Sequence, residues 1–261
     1  MTGRIESADN SRLKLVRKLQ TRKGRNEEKK FVAEGINLVR EAVDRQLEID
    51  FILAAEGQEI PEEIISDAGR RSYQIAELPV RLFEKLTDAE HGVGILAVLP
   101  MPDLAVNPDE CRAGCNVLVL DRLQDPGNMG TVIRTAVAAG YSMILATRGT
   151  VDVYSAKVLR ATAGMIFDVP VKYVGSTDEL MSLLRQIGCR VVVTVPTGGK
   201  AYYDEDLSSG VALVIGNEGN GISDELIGLA DVKVTIPMKG NIESLNAAVS
   251  AAILMYEAVR N

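Results

Sequence analysis

The second half of the chain alternates short apolar runs with amphipathic stretches. The apolar runs are rich in Val, Ile and Leu and are continuous, which is typical of parallel strands buried on both faces. They predict strands at 116–123, 142–148, 168–174, 190–196, 211–216 and 232–237. The stretches between them predict helices at about 129–139, 154–163, 177–187, 223–230 and 245–259. This alternation predicts an open α/β sheet, in which ligands bind beyond the carboxyl ends of the strands.

The first half has a smaller α/β pattern. Residues 10–20 place Leu13, Val16 and Leu19 on one side and basic residues on the other, which predicts a short amphipathic helix. The run "FVAEGINLVREAVDRQ", from Phe31, predicts a second helix. Further strands are predicted at 49–56, 71–78 and 94–100, with helical segments near 60–69 and 79–87.

A proline-containing stretch separates the two halves. "PMPDLAVNPDECRAGC" has three prolines and few apolar residues, which is typical of a linker. We therefore expect an N-terminal domain over residues 1–100, a linker over 101–114 and a C-terminal domain over 115–261.

Charge is distributed unevenly along the chain. The formal net charge is −7, yet residues 1–30 contain ten Lys and Arg against four Asp and Glu. Such asymmetry is typical of a nucleic-acid contact, so the basic segment 12–30 is a candidate contact. A solvated, partly helical leader is the alternative. The chain has no Trp, which argues against an aromatic stacking platform for nucleic acid.

Several kinds of site and location are excluded by the residues present. No apolar run approaches the ~20 residues that span a bilayer, and the N-terminus lacks the apolar core of a signal peptide, so we expect a cytoplasmic protein without a membrane contact. The cysteines, Cys111, Cys115 and Cys189, form no CxxC pair, which argues against a zinc site and a disulfide framework. The single histidine, His91, has a loop-like setting, and no metal site is predicted.

The stretch "DPGNMGTVIRTAVAAG" follows the first strand of the C-terminal domain. Asn128 is predicted to cap the next helix. Arg134 lies beside the apolar stripe of that helix and has no acid three or four residues away. Its partner is therefore distant in sequence or is a ligand, and a helix-surface arginine with a distant salt bridge is the structural alternative.

The stretch "LVIGNEGNGISDEL" runs from a strand into a glycine-rich loop. Such loops commonly bind phosphate at a helix N-terminus. Here Glu218 lies inside the loop, and Asp224 and Glu225 open the helix that Ser223 caps. These carboxylates would repel a pyrophosphate, so the loop suits a ligand without phosphate, such as an adenosine with a cationic or zwitterionic tail.

The stretch "VTIPMKGNIESLNAAVSAA" joins a strand to a helix with small residues along one side. Ser244 is a natural cap for that helix. Small residues allow close approach of a backbone, another helix or a ligand, so tight helix packing or a dimer contact is the structural alternative. That alternative leaves the polar segment 241–246 unexplained.

Together, the three stretches resemble the SpoU branch of the SPOUT RNA methyltransferases. They occur in the family's order and spacing over about residues 115–261, and "AKVLRATAGMIFDVPV" is similar to the family's intervening segment. The resemblance implies an α/β domain with a parallel sheet and a deep trefoil knot, S-adenosylmethionine as cofactor, and a homodimer formed through the catalytic domain. The preceding small α/β domain is similar to a ribosomal-protein-like RNA-binding domain.

The resemblance also implies an activity, the methylation of a ribose 2′-hydroxyl in structured RNA. Ribosomal RNA is favoured over transfer RNA because of the added N-terminal domain. A non-catalytic RNA-binding or assembly protein on the same fold is an alternative, which the intact polar set disfavours. A Rossmann-type nucleotide enzyme is disfavoured by the missing phosphate fingerprint. One departure is the pair Ala247 and Ala248, which follows Asn246 where the family more often has a valine.

Residue roles carry over to the matching positions. The implied catalytic residues are Asn128 and Arg134 in the first motif, Glu218 in the second, and Ser244 and Asn246 in the third. Because arginine stays protonated in proteins, we expect Arg134 to hold the ribose and its phosphate rather than to act as a base. The implied cofactor-binding residues are Thr194, Gly216, Asn217, Ile236, Met238, Ser244 and Leu245.

Overall fold

The structure, a computed structural model, describes residues 2–87, 94–102, 114–240 and 244–260. The expected loop histidine His91, most of the expected linker, and residues 241–243 of the third motif lie outside the described residues. The chain divides into two units by its internal contacts. One unit takes the N-terminal part through Asp103 together with Tyr154–Phe167, and the other takes Leu104–Val153 together with Asp168–Asn261.

The first unit contains a mixed five-stranded sheet. Its strands are β1 (Thr2–Arg4), β2 (Lys30–Glu34), β3 (Phe51–Ala55), β4 (Gln74–Leu78) and β5 (Ile95–Pro100), in the order β1-β4-β3-β5-β2. Its helices are α1 (Ser11–Leu19), α2 (Arg22–Glu28), α3 (Ile36–Asp44), α4 (Glu62–Arg71), α5 (Val80–Phe83) and, from later in the chain, α7 (Ala156–Thr162). The buried residues of α1 are Leu13, Val16 and Leu19, which confirms the predicted amphipathic helix.

The predicted helix from Phe31 is wrong at its start. Residues Lys30–Glu34 form β2, which pairs antiparallel with β5, and helix α3 begins only at Ile36. Gly35 separates the two elements with φ 94°, a left-handed conformation that interrupts a helix and that glycine adopts readily. The segment before β2 forms a further helix, α2, which the Thr21 side chain caps.

The segment Tyr154–Phe167 packs against β2 within the first unit. The Phe31 ring lies 4.8 Å from the Tyr154 ring and 6.3 Å from the Phe167 ring, measured between centroids. Arg160 Nη1 donates to the buried Glu34 carboxylate at 2.7 Å. This segment falls within the 115–261 range expected for the second domain, but its packing partners lie more than 100 residues earlier in the chain.

The second unit contains a seven-stranded sheet in which every pair is parallel. Its strands are β6 (Val117–Leu120), β7 (Met143–Ala146), β8 (Val171–Tyr173), β9 (Arg190–Thr194), β10 (Lys200–Ala201), β11 (Val211–Ile215) and β12 (Val232–Thr235). The order is β10-β12-β9-β11-β6-β7-β8. Its helices are α6 (Pro126–Ala138), α8 (Thr177–Ile187), α9 (Asp224–Leu229) and α10 (Ala247–Glu257). The predicted parallel α/β fold is confirmed, and the knot stays a prediction.

Candidate active site

A cavity of about 540 Å³ lies at the carboxyl ends of β9, β11 and β12. Its walls come from the loops that follow these strands and from the start of α10. All seven residues expected to bind cofactor line it, namely Thr194, Gly216, Asn217, Ile236, Met238, Ser244 and Leu245. The cavity thus brings residues of the second and third motifs together with Thr194 of β9, which lies 51 positions before Leu245 in the sequence.

The cavity is acidic. Glu218 and Asp224 line it, and the described lining residues include no Lys or Arg. The charged side chains described in this lining are therefore all negative, so they would repel a ligand with a phosphate group and attract a cationic one. This agrees with the expectation that the glycine-rich loop does not bind pyrophosphate.

The loop of the second motif is closed by Asn217. Its backbone exchanges two hydrogen bonds with Gly221, and its Oδ1 accepts from the N–H groups of Gly219 and Asn220 at 3.0 and 2.9 Å. Gly216 lies so close to the returning chain that a Cβ atom there would approach the Gly221 carbonyl carbon to 2.3 Å. Glycine at 216 is therefore a steric requirement of the loop that forms one wall of the cavity.

Glu218 receives hydrogen bonds from the first motif. Its carboxylate accepts from the backbone N–H groups of Gln124 and Asp125 at 3.2 and 3.0 Å, and from Asn128 Nδ2 at 3.0 Å. Partial burial raises the pKa of Glu218, but the bonds from Asn128 and the backbone outweigh it, so the pKa lies below its ordinary value of 4.5. Glu218 is therefore an ionised acceptor at neutral pH.

Asn128 is not the cap of its helix, contrary to the sequence expectation. Asp125 caps α6 by accepting from the Asn128 N–H at 2.7 Å, and Pro126 occupies the first helical position. The Asn128 side chain instead joins the other two motifs. Its Nδ2 donates to Glu218, and its Oδ1 accepts from Asn246 Nδ2 at 2.9 Å.

Ser244 is likewise not a cap. Asn246 caps α10, because its Oδ1 accepts from the N–H groups of Ala248 and Val249 at 2.9 and 3.3 Å. Ser244 lies two residues earlier, is exposed and lines the cavity. Its hydroxyl is thus left available at the cavity wall.

Arg134 is exposed on α6. Within the described part of the chain it has no hydrogen-bond or salt-bridge partner, and it does not join the hydrogen-bonded set of Asn128, Glu218 and Asn246. The structure thus brings four of the five expected catalytic residues to the cavity or its hydrogen-bonded margin and leaves Arg134 as a free cation on the helix of the first motif.

Sequence reasoning missed Asp121, a buried acid that follows β6. Its Oδ1 accepts from Thr147 Oγ1 at 2.9 Å, and its Oδ2 accepts from the Ser223 N–H at 2.8 Å. Asp121 thereby ties the ends of β6 and β7 to the start of α9. The sequence feature that could have identified Asp121 is a single acid directly after the apolar run "VLVL".

The described residues were also compared with what a metal site or a membrane-spanning helix requires. Within those ranges no three His, Cys, Asp or Glu side chains group in a way that could hold a metal ion. Among the helices described, none has both the length and the apolar character needed to cross a bilayer.

Comparison with known protein families agrees with this geometry. The model of the SpoU rRNA methylase family matches residues 116–256, which is more than half of the chain. The chain belongs to this family. The model of an MRM3-like substrate-binding domain matches residues 10–97. In the sequence, the match to the substrate-binding domain therefore precedes the match to the SpoU family. The expected family and the expected enzyme class, an RNA methyltransferase, are confirmed.

Individual relatives of this SpoU methylase match over nearly their whole length. The chain is 35% identical over 252 residues to the 23S rRNA (guanosine(2553)-2′-O)-methyltransferase RlmP of Bacillus subtilis, covering 97% of each chain. Its structure is similar to that of an AdoMet-bound rRNA methyltransferase from Sinorhizobium meliloti, with a TM-score of 0.87, 31% identity, and coverage of 99% of this chain and 98% of that one.

A second solved structure is nearly as similar. This is the SpoU methyltransferase AviRb from Streptomyces viridochromogenes in complex with AdoMet, with a TM-score of 0.85 and 29% identity. The match covers 96% of this chain and 97% of AviRb.

Proposed function

We propose that the chain transfers a methyl group from S-adenosylmethionine to a ribose 2′-hydroxyl of ribosomal RNA. The observation that carries this proposal is the hydrogen-bonded set of Glu218, Asn128 and Asn246, which joins all three motifs at the margin of an acidic cavity. The names of the relatives, which include a 23S rRNA 2′-O-methyltransferase and AdoMet-bound enzymes, support the same reaction and cofactor. The cytoplasm is the proposed location.

The cavity fits S-adenosylmethionine in size and charge. Its volume of about 540 Å³ lies within the ~300–1,000 Å³ that is usual for small-molecule sites. The cofactor carries a sulfonium and an ammonium group but no phosphate, which matches walls that contain Glu218 and Asp224. When bound, it supplies an electrophilic methyl group. The apolar Ile236, Met238 and Leu245 are the proposed contacts of its adenosine.

Glu218 and Asn128 act as positioning residues in this proposal. The Glu218 carboxylate has its oxygens occupied by three N–H donors and a low pKa, which makes it a poor proton acceptor. Its role is to hold the loop of the second motif against the start of α6. Asn246 extends that connection to the start of α10, next to the exposed Ser244 hydroxyl, which is the proposed ribose contact.

Arg134 is the proposed clamp for the ribose and its neighbouring phosphate. A guanidinium presents a planar set of N–H donors that matches two phosphate oxygens. A fixed cation near the 2′-oxygen also stabilises the negative charge that develops as the hydroxyl loses its proton. We assign removal of that proton to water or an RNA phosphate.

RNA binding is proposed to involve the N-terminal domain and the basic segment 12–30. The family model of the substrate-binding domain supports this. Several cations of the segment already have acidic neighbours, as Lys18 has in Glu27 and Glu28 and as Lys30 has in Asp50. The pairs of Lys18 are largely exposed and the pair of Lys30 is partly buried. Exposed pairs contribute little to stability, so RNA phosphates can replace the carboxylates beside Lys18 at small cost.

A homodimer is proposed to form through α10. Val249 and Tyr256 are about half exposed, and Ile253 is partly exposed between them, so the helix presents an apolar stripe outside the described core. The spacing of four and three residues places these side chains on one helix face. A second copy of this chain is the proposed partner. The dimer would be supported if the wild type sediments as a dimer and a Tyr256→Glu variant sediments as a monomer.

The domain ranges expected from sequence remain part of the proposal. An N-terminal domain over 1–100, a linker over 101–114 and a catalytic domain over 115–261 agree with the two family matches, 10–97 and 116–256. In the structure the segment Tyr154–Phe167 joins the N-terminal unit, so the catalytic range contributes one helix to its neighbour.

The direct test is methyl transfer to RNA from labelled S-adenosylmethionine. Unmodified 23S rRNA and a transfer RNA mixture are offered separately, and the product is mapped for 2′-O-methyl nucleotides. Transfer to one ribose of the 23S rRNA supports the proposal, whereas transfer only to transfer RNA or to a base overturns it. Calorimetric titration with S-adenosylmethionine tests the non-catalytic alternative, because a protein that only binds RNA would release no heat.

A further inference from the structure

Two arginines follow neighbouring strands at the carboxyl edge of the seven-stranded sheet. Arg122 comes two residues after Leu120, the end of β6, and Arg148 comes two residues after Ala146, the end of β7. Leu120 and Ala146 are register partners in the parallel pair. The two arginines therefore leave the sheet side by side, and neighbouring strands are only ~4.8 Å apart.

The segments that carry the two arginines are fastened to each other. The Arg122 N–H donates to Thr147 Oγ1 at 3.1 Å, and the Val151 N–H donates to the Leu123 carbonyl at 2.8 Å. Arg122 has a left-handed backbone, with φ 57°. Its carbonyl accepts from Asn217 Nδ2 at 2.9 Å, which connects the same turn to the wall of the cavity.

Both side chains retain unused hydrogen-bond donors. Arg148 is exposed and has no hydrogen-bond or salt-bridge partner within the described ranges. Arg122 donates from Nη2 to Asp121 at 3.3 Å, while its buried Nε has no partner in the described part of the chain. The aliphatic part of the Arg122 side chain lies next to Gly149. A Cβ atom added to Gly149 would lie 3.4 Å from Arg122 Cγ. The Arg122 stem thus runs beside the residue that follows Arg148.

We propose that Arg122 and Arg148 form a binding site for a phosphate of the substrate RNA, separate from the phosphate assigned to Arg134. Two guanidiniums on adjacent strand ends can reach different oxygens of one phosphate, and charge-assisted bonds to phosphate are among the strongest that arginine makes. The site would fix the path of the RNA strand across the ends of β6 and β7. This inference rests on the proposed function, since RNA is the polyanion that it requires.

The distribution of charge along the sheet edge supports an RNA phosphate as the occupant. The loop after β11 carries Glu218, and Asp224 lies in the same wall, so the cofactor side of the edge is acidic. The ends of β6 and β7 carry the two arginines, and the only carboxylate bonded to them in the described structure is the buried Asp121. The edge thus separates an anionic region for a cationic cofactor from a cationic region for a polyanion.

The test measures how RNA binding by the full-length protein depends on salt. Unmodified 23S rRNA transcribed in vitro is the probe, and its Kd is measured between ~50 and ~200 mM salt. For Arg148→Gln we expect a several-fold weaker Kd at the lowest salt and a slope of log K against log salt that is smaller by about 0.7–0.9. Arg148→Lys should restore the slope. Arg185→Gln is the matched control, since Arg185 is also exposed without a partner in the described structure.

Substitutions of Arg122 provide a second, independent test of the phosphate site. Arg122→Gln should lower the slope as Arg148→Gln does, and heat released on titration with S-adenosylmethionine reports that the variant is folded. If Arg122→Gln does not fold, Arg122→Lys should keep the slope and raise the KM for RNA only. Slopes in both Gln variants equal to those of the wild type and of Arg185→Gln would overturn the phosphate pair. If the wild type methylates no RNA while the slopes still fall, the phosphate pair stands and the proposed function fails.

Discussion

Asn246 Nδ2 donates to Asn128 Oδ1 at 2.9 Å, across 118 positions of sequence. The orientation of both amides is determined by their other partners. The Glu218 carboxylate can only accept, so Asn128 must turn its Nδ2 toward it and its Oδ1 away. Asn246 must then present its Nδ2 to Asn128, which leaves its own Oδ1 to cap α10. The ionised Glu218 carboxylate therefore determines the direction of the hydrogen bonds that join the three motifs.

Replacing Asn246 should separate its two roles. Asn246→Asp keeps an oxygen that caps α10 but removes the donor to Asn128, so we expect a nearly unchanged melting temperature and a kcat that is lower by about tenfold or more, the equivalent of ~1.4 kcal/mol. Asn246→Ser removes the same donor without adding charge and should behave similarly. Wild-type turnover in both variants would show that the contact between the two asparagines has no role in activity.

The Glu218 carboxylate should contribute stability that depends on pH. Since its folded pKa lies below 4.5, its contribution is complete above that pH and is lost as the pH falls through the folded pKa. Glu218→Gln approximates the protonated group. We therefore expect the variant's urea midpoint to lie below that of the wild type at neutral pH and the difference to shrink as the pH falls below 4.5. A difference that is independent of pH would contradict this account.

Arg134 should be intolerant of lysine. Arg134→Lys keeps the charge but loses the planar pair of donors, so kcat with saturating RNA should fall by roughly 100-fold, as when a fixed donor to a developing anion is removed. Arg185→Lys on α8 is the matched control and should keep wild-type kinetics. If the lysine at position 134 keeps near-full turnover, the assignment of a bidentate clamp is wrong.

Removing the hydroxyl groups of Tyr141 and Tyr73 should have opposite effects on the free energy of unfolding. Both rings are buried, and burial raises the pKa of both phenols. Tyr73 donates to Asp67 at 2.9 Å, whereas the Tyr141 hydroxyl has no partner in the described part of the chain. Tyr141→Phe should raise the free energy of unfolding by about 1 kcal/mol, and Tyr73→Phe should lower it by about 1–2 kcal/mol. Equal losses in urea denaturation would contradict the difference in partners.

The strands and the cavity were predictable because both follow from local pattern. Continuous apolar runs are the signature of buried parallel strands, and parallel strands deliver their following loops to one edge of the sheet. Residues at or just beyond the ends of β9, β11 and β12, such as Thr194, Gly216 and Ile236, could therefore be expected to meet. The identity of the cofactor, by contrast, came from the resemblance and not from periodicity.

The helix caps were mistaken where two capping residues lie close together. Asp125 and Asn128 are three apart, and Ser244 and Asn246 are two apart, so residue type alone does not choose between them. Pro126 was an unused signal, since proline favours the first helical position and points to Asp125 as the cap. The amide contacts to Glu218 leave no local pattern, because they join residues 90 positions apart.

The packing of Tyr154–Phe167 on β2 has a consequence for recombination between relatives. A chimera joined at a single point between the two family matches, 10–97 and 116–256, would combine a foreign β2 with the native α7. The aromatic contacts of Phe31 and the ion pair between Glu34 and Arg160 would then be drawn from two parents. The first unit is therefore not one continuous segment of sequence, and a transplant of that unit must carry residues 154–167 with it.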